Sequence, residues 1–237
     1  MIRLLLLLSC LSLCMCGGSP AGFAVFQFVS GEVYILQNGD ETLRVRAGVG
    51  DRARSSDTIV TGEDSAAELL IKHMGIIRLG PSSRINLSEL RREGNIQIRV
   101  QEGRAGLFIN KLKSNTRVNV VTPTITAGVR GTKFLVGVDE GQDSKFALFD
   151  GALGLTEPTG KGEEVVLDQP GEVRLAPGET LSADSVQELS AESIAEMKAL
   201  EEMTALDRQP PPDASLLPGG VREAAPGGED LAVPEKE

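Results

Sequence analysis

Residues 122–134 read TPTITAGVRGTKF, and this stretch decides the fold class. Val118, Val120 and Val121 end a strand, because Pro123 removes a backbone donor and breaks the ladder. Ile125 resumes an extended path, and Gly128 and Gly131 admit backbone angles that other residues avoid. Phe134, Val136 and Val138 then alternate as a new strand with one apolar face. Val129, Arg130 and Thr132 fill the loop between and beyond the glycines. Arg130 has two readings. As a buried or half-buried residue, its five donors suit several backbone carbonyls and tie adjacent turns together. As an exposed one, it contacts a partner or an anion, helped by the loop's own N–H groups. Glycines on both sides imply tight packing and favour the first.

The same punctuation runs outward in both directions. Residues 31–36, GEVYIL, lead to Asn38-Gly39, a strong hairpin signal. Residues 42–46 alternate Leu43 and Val45 with Arg44 and Arg46, and 66–72 and 76–79 flank a turn at 73–75. Residues 96–101, IQIRVQ, alternate most cleanly, and Glu102-Gly103 turns the chain into 105–109. Further strands are expected at 118–121, 134–138, 145–149, 152–156, 165–167 and 173–175. Turns recur about every 8–12 residues, and no good helical period appears before residue 182, so residues 23–181 read as all-β. A sandwich, a barrel and a solenoid all fit. Gly31, Gly50, Gly62, Gly75, Gly103 and Gly151 stand where corners are needed. In 182–206, Ser190 is placed to cap a helix whose Ile194, Met197 and Leu200 share one face. The Pro-, Gly- and Glu-rich residues 207–237 read as a disordered tail.

The order of residues in 122–134 resembles the signature of the FecR domain, a bacterial envelope module. Residues 57–70, DTIVTGEDSAAELL, the strand pair around 76–79 and the Phe149-Asp150-Gly151-Ala152 step resemble further motifs of that family, in the family's order. The resemblance covers roughly residues 29–157. It implies an irregular β-solenoid-like roll of short strands stacked coil on coil, and a protein-interaction or sensing role. Thr122, Pro123, Gly128, Val129, Arg130, Gly131, Thr132 and Phe134 are the signature positions, structural or in contact with a partner. The family's best-known members relay a signal to a sigma factor and carry an anti-sigma segment and a membrane helix before the domain. Here the one long apolar stretch starts at residue 2, so that relay role is not expected.

That stretch reads as an export signal. Met1-Ile2-Arg3 is a short basic start, and residues 4–15 form an apolar run too short to span a bilayer. All three cysteines, Cys10, Cys14 and Cys16, fall here. Their clustering resembles a bacterial lipoprotein signal. Cys16 leaves the full apolar run within a signal of residues 1–15 and opens a flexible tether (16–22), so it is the expected acylation site. Cys10 follows a small Ser9 and is the alternative. Such an anchor places the mature protein on a membrane of the cell envelope.

Composition excludes several functions. The chain has 237 residues, no Trp, one tyrosine (Tyr34) and a formal charge of −10. The scarcity of aromatics argues against a stacking platform for single strands, and the net charge disfavours nucleic acid as a partner. The charge is uneven: residues 1–181 carry 21 acids and 20 bases, and residues 182–237 carry 13 acids and 4 bases. His73 is the only histidine and reads as an exposed turn residue. No Cys/His cluster, no G-x-S-x-G elbow and no phosphate loop leading into a helix is legible. The acid pairs Glu63-Asp64 and Asp139-Glu140 read as solvated turns. The expectation is a non-enzymatic envelope lipoprotein without metal or cofactor, acting on an unidentified envelope protein partner. The alternatives are a β-solenoid enzyme acting on envelope polysaccharide and a purely structural lipoprotein.

Overall fold

The computed structural model describes residues 23–90, 94–111, 116–159 and 163–203. The expected signal, Cys16, the tether and the tail from residue 207 lie outside them. The described chain passes back and forth between two facing layers. β1 (Phe23–Ser30) lies in the first layer, and β2 (Val33–Leu36) with β3 (Arg44–Arg46) in the second. β4 (Arg52–Arg54) returns to the first, and β5 (Thr58–Thr61) to the second. β6 (Ala66–Ile71) and β7 (Gly75–Leu79) form a hairpin in the first layer, and β8 (Arg84–Leu90) lies in the second. β9 (Gly94–Ile109) begins in the second layer and ends in the first.

The second half repeats the pattern. β10 (Thr116–Val121) and β11 (Thr126–Val129) pair in the second layer, then β12 (Lys133–Val138) and β13 (Ser144–Asp150) in the first. β14 (Leu153–Thr156) and β15 (Val165–Leu167) belong to the second layer, and β16 (Gly171–Leu175) and β17 (Val186–Gln187) to the first. All pairings are antiparallel except β9 with β10. The molecule is thus an all-β roll, as the sequence implies, but its layers stack antiparallel because hairpins such as β6–β7 and β12–β13 reverse the chain within a layer.

Alternation drives the burial. Phe26, Leu69, Ile77, Leu107, Phe134, Phe146 and Val173 point inward from the first layer. Ile35, Ile59, Ile85, Ile98, Val120, Leu155 and Leu167 meet them from the second, in one core running from Ala24 to Leu181. Phe134 and Phe146, on paired strands, stack with ring centroids 6.3 Å apart. The alternation at 42–46 behaves differently: Leu43 and Val45 are about half exposed, because β3 is an edge strand with nothing packed over it.

Residues 96–101 and 105–109, expected as two strands, are one. β9 bends at Gly103, whose φ of +81° lets the chain change layers without ending its ladder. Strand ends gather along two rims. At the proximal rim, where Phe23 begins, lie Ile71–Gly75, Ile109, Lys133, Asp150 and Gly171. At the distal rim lie Ser30, Ala66, Leu79, Gly103, Val138, Ser144 and Leu175.

Ser190 caps the helix α1 (Ala191–Glu202), its hydroxyl accepting from the Ser193 N–H at 3.2 Å. α1 lies across the outer face of the first layer. Met197 and Leu200 bury against Leu135 and Ala147, flanked by Phe108 and Phe149. Ile194, expected on that face, is half exposed, and Ser193 is buried instead. The buried face follows 193, 197 and 200, a four-then-three step that leaves 194 to one side. Among the described residues no helix is long and apolar enough to cross a membrane.

Candidate functional site

Two places carry the polar chemistry. The first is a charged cleft of about 380 Å³ at the distal rim, beneath the first turn of α1. Arg104 of β9, Lys145 of β13 and Arg174 of β16 line it, facing Glu192 of α1 and Asp139 and Asp143 of the β12–β13 turn. The sheet pairings place the three cations, since Lys145 and Arg174 are register partners and Gly137 of β12 pairs with both Arg104 and Lys145. Lys145, only 7% exposed, bonds Glu196 at 2.8 Å. Arg104 also pairs with Glu196, and Arg174 reaches Glu192 at 3.3 Å.

Magnitudes sort these contacts. Arg104, Arg174 and Glu192 are half exposed, so their ion pairs contribute about 0–1 kcal/mol each. Burying Met197 and Leu200 contributes about 2 kcal/mol apiece. The apolar seam therefore holds α1 down, and the ion pairs fix its register.

Glu172 braces the start of the helix. Its carboxylate accepts from the Ser190 N–H at 3.1 Å and from the Ser190 hydroxyl at 3.0 Å. Burial pushes the Glu172 carboxyl up. Hydrogen bonds from Ser193 and Ser190, with the Lys145 ammonium near, outweigh that and leave it below the usual carboxylate range.

The second place is the signature segment, which spans both rims. Its first half is a tight distal turn. The Thr122 hydroxyl donates to the Ile125 carbonyl at 2.8 Å and accepts from the Ile125 N–H at 3.1 Å. The Thr124 hydroxyl donates to the Leu175 carbonyl at 2.9 Å, fastening the turn to β16. Pro123 is exposed between them, where no ladder needs its missing donor. Gly128 sits within β11 between Asn119 and Gly154. It needs no special backbone angle, and a side chain there would meet nothing closer than 3.7 Å.

Gly131 does need its freedom, at φ +65° on the proximal rim. Gly151 packs against it, and a Cβ on Gly151 would lie 2.5 Å from the Gly131 carbonyl oxygen. Val129 and Phe134 are core residues. Thr132 accepts from the Ile109 N–H at its carbonyl, at 2.8 Å, while its buried hydroxyl has no hydrogen-bond partner among the described residues.

Arg130 departs from the expected tie between turns. It is exposed and makes no hydrogen bond or ion pair among the described residues. The strand ladders and glycine corners close the proximal rim without it, so it stands outward on a closed corner. The sequence reading also missed the cleft, since its cations come from three strands far apart in sequence. Alternation did place them on outward positions, which is the signal that was available.

The acid pairs separate as well. Asp139, Glu140 and Asp143 line the cleft, whereas Glu63 and Asp64 stand in an exposed turn outside it. Asp139 is committed to its own turn, accepting from the Asp143 N–H at 3.0 Å. His73 is exposed at the β6–β7 tip with φ +68°. Among the described residues no group of three or more His, Cys, Asp or Glu is placed to hold a metal ion.

Comparisons with known proteins bear on the first of these places less than on the second. No curated protein matches the chain. Two crystal structures of a protein from Parabacteroides distasonis ATCC 8503, provisionally described as an anti-sigma factor, are similar at 14% identity, with TM-scores of 0.49 and 0.48. The similarity covers 58% of this chain and 62% of the chain in those structures. The family described as FecR protein matches residues 57–154, from the start of β5 into β14, and includes every signature position from Thr122 to Phe134. Over residues 57–154 the chain is therefore similar to the FecR family, as the motifs of the sequence imply.

Proposed function

We propose that this protein is a non-enzymatic module of the bacterial envelope, held to a membrane by an acylated Cys16, that binds a protein partner at the charged cleft under α1. The observation that carries the reading is the cleft itself. Three cations from β9, β13 and β16 and the acids of the β12–β13 turn converge beside a FecR-like domain. Mixed charges on a rigid sheet suit recognition of a complementary surface, where they set specificity and encounter rate more than raw affinity. The carboxylates there serve architecture. Glu196 and Glu192 hold cations, Asp139 caps a turn, and Glu172, held ionised, braces α1. A general acid near neutral pH needs the opposite shift.

The test is photo-crosslinking in the native envelope from Glu140, on the cleft, and from Arg99, exposed on the outer face of the second layer. A defined protein adduct from Glu140 and none from Arg99 supports the reading. Equal labelling from both positions overturns it. So does release of fragments when the purified protein is incubated with peptidoglycan. Mass spectrometry of the mature N-terminus tests the anchor, and an unmodified start beyond residue 20 removes that part alone.

A further inference from the structure

The two rims differ in their unpaired charge. The distal rim exposes Glu32, Glu63, Asp64, Glu102, Asp139 and Glu140, while its cations are engaged: Arg104 pairs with Glu196, Arg174 with Glu192, and Arg46 donates to the Gly31 carbonyl. The proximal rim exposes Arg54, Lys72, Lys111, Arg117 and Arg130. None of these five cations makes an ion pair among the described residues. Topology places them together. Arg54 pairs with Phe23 at the start of β1, and Lys72 follows the end of β6. Lys111 follows Asn110, whose N–H bonds the Met74 carbonyl, and a Cβ on Gly131 would touch the Lys111 side chain at 3.2 Å. Arg130 directly precedes Gly131. Arg117 stands at the start of β10, one residue before the Val118–Val129 pair.

Acids on this rim are few and partly committed. Asp57 is buried, accepting from the Asn38 and Arg54 N–H groups at 3.0 and 2.7 Å. Asp40 accepts from the Thr42 hydroxyl at 2.7 Å, and Glu41 pairs with Arg84 at 2.8 Å. Asp150 and Asp168 remain exposed, and Glu89 is half buried.

The chain enters the fold at this same rim, because β1 starts at Phe23 and runs toward the distal side. Phe23 lies seven positions beyond Cys16, a reach of at most about 25 Å. From this polarity and this entry point we infer that the proximal rim lies against anionic phospholipid headgroups, with Arg54, Lys72, Lys111, Arg117 and Arg130 as the contacting cations. The inference rests on the Cys16 anchor. A single lipid signal gains from a basic patch beside it, since each Lys or Arg near an anionic surface adds attraction that fades within a Debye length. The acidic distal rim is repelled, so the molecule stands with its cleft away from the bilayer. Arg130 thereby acquires a contact on the membrane side.

The test uses the purified full chain and a Cys16→Ala form that carries no acyl group there. Both are floated with vesicles of phosphatidylglycerol in phosphatidylcholine, and with phosphatidylcholine alone. The Cys16→Ala chain is expected to bind only the anionic vesicles and to release in about 0.5 M salt, where the Debye length is a few ångströms. Lys111→Glu with Arg130→Glu should weaken that binding roughly twentyfold, at about fivefold or more per cation. The charge-matched pair Arg99→Glu with Lys198→Glu, away from the rim, should change it less than about threefold.

Equal effects from the two pairs, or no preference for anionic vesicles, overturn the inference. A crosslink from position 130 to a protein partner, or to the chain's own acidic segment beyond Met203, overturns it too. If the wild-type N-terminus proves unacylated while the Cys16→Ala chain still binds through the rim, the anchor reading fails and the rim assignment stands.

Discussion

Ser83 and Thr132 are corner residues on opposite rims, and both are buried, but among the described residues only the Ser83 hydroxyl has partners. The Ser83 hydroxyl donates to the Pro81 and Arg104 carbonyls at 3.0 and 3.1 Å and accepts from the Arg104 N–H at 2.9 Å. Thr61 and Ser65 act in the same way on neighbouring distal corners, bonding the Gly80 carbonyl at 2.7 Å and the Glu32 N–H at 2.7 Å. Side-chain oxygens there replace ladder bonds that the turning backbone cannot make. At the proximal Gly131–Thr132 corner the backbone itself closes the turn, and the Thr132 hydroxyl is left without a partner among the described residues. The contrast separates a corner built for closure from one that accepts a cost beside the exposed Arg130.

The sharpest way to break the distal rim is to put a side chain on Gly103. Its Cβ would lie 2.5 Å from the Ser82 carbonyl oxygen, at φ +81°. Gly103→Ala should cost about 3 kcal/mol or more, read as a lowered denaturation midpoint. Ser83→Ala strands the Arg104 N–H and should cost about 2 kcal/mol in the same assay.

The matched change on the proximal rim should reverse the sign. Thr132→Val keeps the shape and removes an unpaired hydroxyl, so stability should rise by up to about 1 kcal/mol. A loss above that size would mean the hydroxyl has a partner after all.

Acid tests the helix brace next to the distal cleft. The folded pKa of Glu172 lies below its ordinary value of 4.5. Its contribution is therefore complete above pH 4.5 and is lost as pH falls through the lower, folded value. Native-state hydrogen exchange in α1 should quicken over that interval, and Glu172→Gln should flatten the dependence. The smallest effect is expected at Arg130, where alanine should shift stability by less than about 0.5 kcal/mol, because the exposed guanidinium holds no neighbouring group.

Much of this was legible in the sequence. Period-two alternation located β9, β12, β13 and β16, and Ser190 marked the start of α1. The residues between those strands were harder. Gly103 reads as a turn whether a strand ends there or bends there, and only the second layer decides. Arg130 between two glycines suggests a packed tie, but Gly128 is an ordinary strand residue, and only Gly131 is a corner. The cleft depends on Lys145 pairing with Arg174 and on a helix that starts at Ala191, well beyond both in sequence, folding back over them, which no local pattern encodes. Ile194 failed for a simpler reason: three-residue spacing drifts around a 3.6-residue helix, so of 194, 197 and 200 only the last two face inward.

β9 has a mechanical consequence. It is the central strand of both layers, with β7 and β8 on one side and β12 and β10 on the other. Among the described strands, no ladder joins β1–β8 to β10–β17 except through it. Tension between the two ends of the chain must pass across this one strand. Its ladders share the load over sixteen residues in two layers at once, so the halves part together or hold together.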